Sequence, residues 1–277
     1  MRKILIFILL VSLASAGGFS LKKIWATGGI FEVPESVLYD GNSGYIYVSN
    51  INGSPTVKDG NGFISKLTKD GKIVSLRWAE GLDAPKGMAI FHGKLYVSDI
   101  TKLVEIDLST GKILRKYPAP GARFLNDVAV DDQGVVYVSD SSDSNSVIYR
   151  LKDGKLQVWI KHPELRSPNG IFYRDGKLYA GSFADGRIFS CDIESGEVKQ
   201  VARAPMPIDG LILTDSLFII SDWQGSVGIL EGGKFYRLLR FPSRRVNAAD
   251  IGFIPGENVV LVPTFFANSV VAYRLEK

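Results

Sequence analysis

The stretch Pro168–Val198, PNGIFYRDGKLYAGSFADGRIFSCDIESGEV, decides the fold. It reads as an inner strand over 170–173, a turn at Arg174-Asp175-Gly176 and a second strand over 177–181. A loop over 182–186, a third strand over 187–193 and a turn at Glu194-Ser195-Gly196 follow, and a fourth strand starts at Glu197. Short strands parted by Gly/Asp turns at this spacing predict an antiparallel sheet.

The unit recurs, and recurrence is the stronger signal. Inner strands are expected at PESVLY (34–39), PKGMAI (85–90), LNDVAV (125–130), PNGIFY (168–173), IDGLIL (208–213) and AADIGF (248–253), at intervals of 51, 40, 43, 40 and 40 residues. A second strand follows each, as in YIYVSN (45–50), KLYVSD (94–99) and VVYVSD (135–140), and then a third. Five repeats add a fourth strand after a turn, whereas the sixth stops at Lys277 without one. An unassigned strand near the start, LKKIWA over 21–26, matches the missing piece. The prediction is an all-β fold: a six-bladed β-propeller over 17–277, four antiparallel strands per blade, the N-terminal strand closing the last blade. No long stretch has a 3.6-residue apolar period, so almost no helix is expected. A β-sandwich explains neither six near-equal repeats nor the missing strand.

Composition bounds the function. The chain of 277 residues is 45% hydrophobic, which suits a globular protein with a sizeable core. Residues Met1–Ala16 stand apart: Arg2 and Lys3 precede the apolar run 4–13, and Ala14-Ser15-Ala16 has the form of a signal-peptidase site. The run is short for a membrane span. A signal peptide and export, to periplasm or medium, are expected, with an uncleaved anchor as the alternative and no stable membrane insertion after cleavage. Cleavage removes two cations and no acid, lowering the net charge from +4 to +2. No basic cluster suggests a nucleic-acid surface. The lone Cys191 cannot form an internal disulfide and is expected to be a buried, inert thiol.

Antiparallel neighbours start and end at one mouth of such a ring. The second residues of the six inner segments therefore converge near the axis: Glu35, Lys86, Asn126, Asn169, Asp209 and Ala249. Four of them offer side-chain oxygens. These are hard donors that suit Ca²⁺, Mg²⁺ or Mn²⁺ with positions left for water. The competing reading is that they cap strand ends by accepting backbone N–H groups. The long loop 49–62 lies at the same mouth, as a lid or as an idle connection. The repeated Ser-Asp endings (Ser98-Asp99, Ser139-Asp140, Ser221-Asp222) are expected to be structural. Phe183, Trp223, Phe265 and Phe266 either wall a pocket or pack between blades. With two histidines only, His92 and His162, a Ser-His-Asp triad or a multi-histidine zinc site has little material.

The segments PES at 34–36, LND at 125–127, PNG at 168–170 and IDG at 208–210 resemble those of the SMP-30/gluconolactonase/LRE family (senescence marker protein 30 and relatives), over essentially the whole mature chain. The resemblance implies a six-bladed propeller in which a Glu, two Asn and an Asp surround one divalent metal, often calcium or zinc. The matching positions are Glu35, Asn126, Asn169 and Asp209. It further implies hydrolysis of sugar lactones, with Asp209 both ligand and general base. The chain departs from the pattern at Val128, where the family has glycine, and at Arg123, one residue further from the first Asn than the family's substrate-contacting arginine. Lys86 has no counterpart among the family's ligands. It is expected to hold an anionic substrate group or to pair with Glu35 or Asp209.

The working expectation is an exported, metal-dependent lactonase acting on a small molecule as a monomer. Asp209 would be its base, Glu35, Asn126, Asn169 and Asp209 its metal ligands, and Lys86, Arg123 and Trp223 its substrate contacts. The competing expectation is a non-catalytic propeller that binds a small ligand or a protein partner.

Overall fold

The computed structural model describes residues 18–143, 146–215, 217–242 and 245–277. The N-terminal signal segment expected over 1–16 lies outside them. Six four-stranded antiparallel sheets form the described chain. The N-terminal strand β1 spans Ser20–Ala26. Blade 1 holds β2 (Pro34–Tyr39), β3 (Tyr45–Asn50), β4 (Gly62–Thr68) and β5 (Ile73–Leu82). Blade 2 holds β6 (Pro85–Phe91), β7 (Lys94–Asp99), β8 (Lys102–Asp107) and β9 (Ile113–Pro118). Blade 3 holds β10 (Leu125–Val130), β11 (Val136–Asp140), β12 (Val147–Lys152) and β13 (Lys155–Lys161). Blade 4 holds β14 (Pro168–Arg174), β15 (Lys177–Ser182), β16 (Arg187–Asp192) and β17 (Val198–Arg203). Blade 5 holds β18 (Leu211–Leu213), β19 (Phe218–Asp222), β20 (Ser226–Glu231) and β21 (Lys234–Arg240). Blade 6 holds β22 (Gly252–Ile254), β23 (Val259–Pro263) and β24 (Val270–Glu276).

The strand order β1-β24-β23-β22 completes blade 6 with the N-terminal strand, as the repeat pattern predicts. Among the described residues the only helical pieces are three 3₁₀ turns, Pro163–Leu165, Pro255–Glu257 and Phe265–Ala267. None of them is long and apolar enough to cross a membrane.

The core lies between blades. Leu103, Val128, Val138 and Tyr149 pack together where blades 2 and 3 meet, and Val37, Val48, Leu261 and Val270 do so where blades 6 and 1 meet. Each such aliphatic side chain, once fully buried, contributes about 1.5–3 kcal/mol. Alternation along each strand supplies both faces of a blade, so every interface has apolar groups from two repeats. Cys191 is fully buried in the blade 3–4 interface, where burial pushes its thiol up to about 12, an inert state at neutral pH.

One irregularity repeats in blades 1 to 4. Pro34 pairs with Asn50, but Val37 pairs with Val48, so the inner strand carries an extra residue. The same slip falls between Pro85 and Met88, Leu125 and Val128, and Pro168 and Ile171. A bulge of this kind breaks the up-down alternation and re-aims side chains. In blades 5 and 6 the regular inner strand begins later, at Leu211 and Gly252, so Asp209 and Ala249 precede it.

The recurring serine of the second strand meets the bulge. Ser139 Oγ accepts the Asp127 N–H at 2.9 Å and donates to the Asn169 carbonyl of the next blade at 2.8 Å. Ser221 Oγ likewise accepts from Gly210 N–H (2.9 Å) and donates to Ala249 O (2.7 Å), and Ser98 Oγ donates to Asn126 O. The aspartate that follows holds the chain entering its own inner strand: Asp99 accepts from the N–H groups of Asp83 and Ala84, and Asp140 from those of Arg123 and Phe124. The Ser-Asp endings are therefore inter-blade and intra-blade ties.

Close approach of blades also explains Gly170. A Cβ there would lie 2.5 Å from Asp209 O and 2.7 Å from Leu211 N, both backbone atoms of the next blade. Gly170→Ala is expected to lose about 1–3 kcal/mol by overpacking, read by urea denaturation. Gly256→Ala, where a Cβ meets nothing within 4 Å, is the control and stays within about 0.5 kcal/mol of the parent.

Candidate active site at the hub

The bulges of blades 1 to 4, and the segments that precede the regular inner strands of blades 5 and 6, bring the second residues of the six segments to one mouth of the channel. Glu35, Asn126, Asn169 and Asp209 are all buried there. Asn169 Nδ2 donates to Asp209 Oδ1 at 2.8 Å, and the Asp209 charge acts directly on Glu35. Among the described residues eight buried side-chain polar atoms have no hydrogen-bond partner. Four of the eight are Glu35 Oε2, Asn126 Oδ1, Asn169 Oδ1 and Asp209 Oδ2. An unpartnered buried oxygen costs about 1–3 kcal/mol. Four such oxygens at equivalent positions of four blades cannot be the strand caps of the competing reading, because a cap oxygen accepts an N–H.

Two carboxylates and two amide oxygens form the donor set that a hard divalent cation takes. Among the described residues no group of three or more His, Cys, Asp or Glu is placed to hold a metal. An oxygen site here would draw half of its protein donors from amides. The residues present fit calcium better than zinc, whose protein sites favour nitrogen and sulfur.

Electrostatics at the hub are severe. Burial, then Asp209 and Asp250, hold the Glu35 carboxyl well above the usual carboxylate range. Burial and Asp250 push Asp209 up to about 8. Asp127 and Asp250 lie one residue further along the chain than the second positions of their segments and complete a second acidic tier. Burial raises both, Asp250 to about 7, and Asp250 itself raises Asp127 further. Reading only the second column of the repeat misses this tier. The third column, Ser36, Gly87, Asp127, Gly170, Gly210 and Asp250, carries the signal: two acids among glycines.

Lys86 is 1% exposed, and among the described residues it makes no ion pair with Glu35 or Asp209, which removes one of the two roles expected of it from sequence. Its ammonium donates to the carbonyls of Ala84 (3.0 Å) and Pro55 (3.2 Å) and lies 4.6 Å from the Phe124 ring centre. Burial lowers it to about 8, with the charges of Glu35 and Asp99 opposing. Pro55 belongs to the long loop after β3, so the lysine ties that loop to the mouth. Arg123 is exposed on the rim, its N–H held by Asp140. Trp223 is 38% exposed and meets Phe265 and Phe266 edge-on at 5.8 and 6.0 Å. Phe265 is buried against Ile51 and Ala249, so this aromatic group both walls the mouth and packs blades together.

The fold and the hub define a six-bladed propeller with an oxygen-lined, acidic centre. No protein-family model matches the chain, and no curated protein sequence does. Solved structures do. A putative gluconolactonase superposes with a TM-score of 0.67 at 17% identity, covering 95% of this chain and 94% of its own. A catalytically inactive virginiamycin B lyase from Staphylococcus aureus, bound to quinupristin, gives 0.63 at 15% identity over 94% and 99%. The nidogen/laminin complex contributes a chain at 0.66 and 15% identity over 80% and 84%. At these identities the likeness is one of fold, shared by two enzyme types and a protein complex.

The raised Asp209 carboxyl sets a pH signature for the metal-free protein. The folded state binds its proton more tightly than the unfolded chain, so stability falls as pH rises from about 4 through about 8. In chelator, urea midpoints are expected to be higher at pH 5 than at pH 8, with a shallower slope in Asp209→Asn. An equal slope in that variant would remove Asp209 as the source.

Proposed function

We propose that the chain is an exported, metal-dependent hydrolase of the SMP-30/gluconolactonase type that opens a lactone ring in a small, sugar-like substrate. The observation that carries this reading is the set of four partnerless oxygens on Glu35, Asn126, Asn169 and Asp209. These residues would hold one divalent cation, calcium first. When bound, such an ion supplies Lewis-acid polarisation of the ester carbonyl and a more acidic water.

The protein's own part is positional. The Asn169 amide holds Asp209 Oδ1 and leaves Oδ2 without a hydrogen bond. Burial and the neighbouring Asp250 make Asp209 more basic than an exposed carboxylate. Once ionised, that carboxylate would take a proton from water as the general base. Arg123, exposed on the rim and without an ion pair among the described residues, would meet an anionic substrate group. Lys86 contributes through the loop it anchors and through its charge near Glu35. Trp223 and Phe266 present an aromatic flank to the substrate.

The test uses the mature protein, stripped with chelator, against a panel of γ- and δ-lactones. Hydrolysis is expected to vanish and to return with Ca²⁺, which also raises the melting temperature. Asp209→Asn is expected to lower kcat by about 10²–10⁴-fold. A calcium-dependent rise in melting temperature without turnover of any lactone would instead make the ion a staple of a non-catalytic propeller. No rise at all would remove the metal site itself.

A further inference from the structure

We propose that the opposite end of the channel is a second binding site, for a small organic cation: an ammonium group on an apolar body. This inference is independent of the hydrolase reading. Inner strands of all six blades line a cavity of about 630 Å³ that opens where those strands end, away from the quartet. That volume lies within the roughly 300–1,000 Å³ of small-molecule pockets. Met88, Val128, Ile171, Leu211 and Ile251 give it largely apolar walls, and Ser36, Asp127 and Asp250 form its inner end.

The two carboxylates differ in what they have left to offer. Asp127 is committed: Oδ1 accepts the Val128 N–H and Oδ2 the Ile171 N–H, both at 2.7 Å. Asp250 Oδ2 accepts the Ser36 hydroxyl at 2.5 Å. Its Oδ1 accepts no hydrogen bond among the described residues, although the side chain is only 7% exposed. No ion pair among those residues reaches either acid, and Arg174, the cation on the cavity wall, is engaged by Asp175 and Asp215. Space for the acids is built in. A Cβ at Gly87 would fall 2.5 Å from Asp127 Oδ1, and one at Gly210 would fall 2.9 Å from Asp250 Oδ1.

The donor count selects the ligand class. A calcium ion takes about six to eight oxygens, and this floor has little beyond Asp250 Oδ1 and the Ser36 hydroxyl to spare. An ammonium needs two or three acceptors and carries the compensating charge. A neutral apolar molecule would leave Asp250 Oδ1 both buried and bare. The apolar walls then bury the body of the ligand.

Calorimetric titration with 2-phenylethylammonium tests this, with 2-phenylethanol and phenylacetate as neutral and anionic matches. One saturable site for the ammonium is expected, with both analogues at least about tenfold weaker. Asp250→Asn is expected to weaken the ammonium by about tenfold or more, close to 1.4 kcal/mol. Leu213→Trp, which narrows the cavity without touching its acids, is expected to weaken it too, and decides the matter if Asp250→Asn does not fold. Absence of binding, equal binding of the alcohol, or an unchanged dissociation constant in Leu213→Trp would overturn the proposal.

Discussion

Closure of the ring is the constraint on which the rest depends. At the rim it is the pairing of β1 with β24, from Ser20 opposite Glu276 to Ala26 opposite Val271. At the hub it is a parallel bridge between Ser36 and Asp250, with the Asp250 N–H donating to the Glu35 carbonyl at 2.9 Å. Apolar groups back both ends of the seam. Phe19 and Leu21 join the core of blades 5 and 6, and Phe31 joins that of blades 6 and 1. Without this seam Glu35, in the first blade, would have no reason to lie beside Asp209 and Asp250, nearly the whole chain away.

Within the closed ring, the bulge converts a packing repeat into a site. A regular strand would send successive residues to opposite faces and leave one polar column at most. In blades 1 to 4 the slip at the start of the inner strand, and in blades 5 and 6 the segment that precedes the regular strand, put two consecutive positions at the hub, and second-strand serines take up backbone groups there. The result is two acidic tiers in a buried channel with one lysine nearby. Burying charge in this way works against stability. Cations at either end of the channel would offset that cost, and bare oxygens on Glu35, Asp209 and Asp250 would meet them.

The structural neighbours sharpen what fold can and cannot carry. A putative gluconolactonase, a virginiamycin B lyase and a chain of the nidogen/laminin complex share this architecture at 15–17% identity. In this chain the hub presents oxygen donors from Glu35, Asn126, Asn169 and Asp209, an aromatic flank at Trp223, and a lysine that fastens a loop.

The sequence alone settled the architecture. Six inner segments at near-equal intervals and an orphan strand at 21–26 admit few solutions, because strand period, turn chemistry and repeat length are local properties that survive without tertiary information. It also placed Glu35, Asn126, Asn169 and Asp209 at equivalent positions, since equivalence follows from alignment of repeats. Tertiary structure decided the rest. Asp127 joins the hub because the bulge overrides the two-residue alternation, and Asp250 because it precedes the regular strand of blade 6 and bridges to Ser36 across the seam. Lys86 turns to Ala84, Pro55 and Phe124 because the folded loop delivers a carbonyl to a buried ammonium that an extended chain could not bring there. Which oxygens end up bare is a matter of three-dimensional hydrogen-bond accounting, and no reading of residue order can perform it.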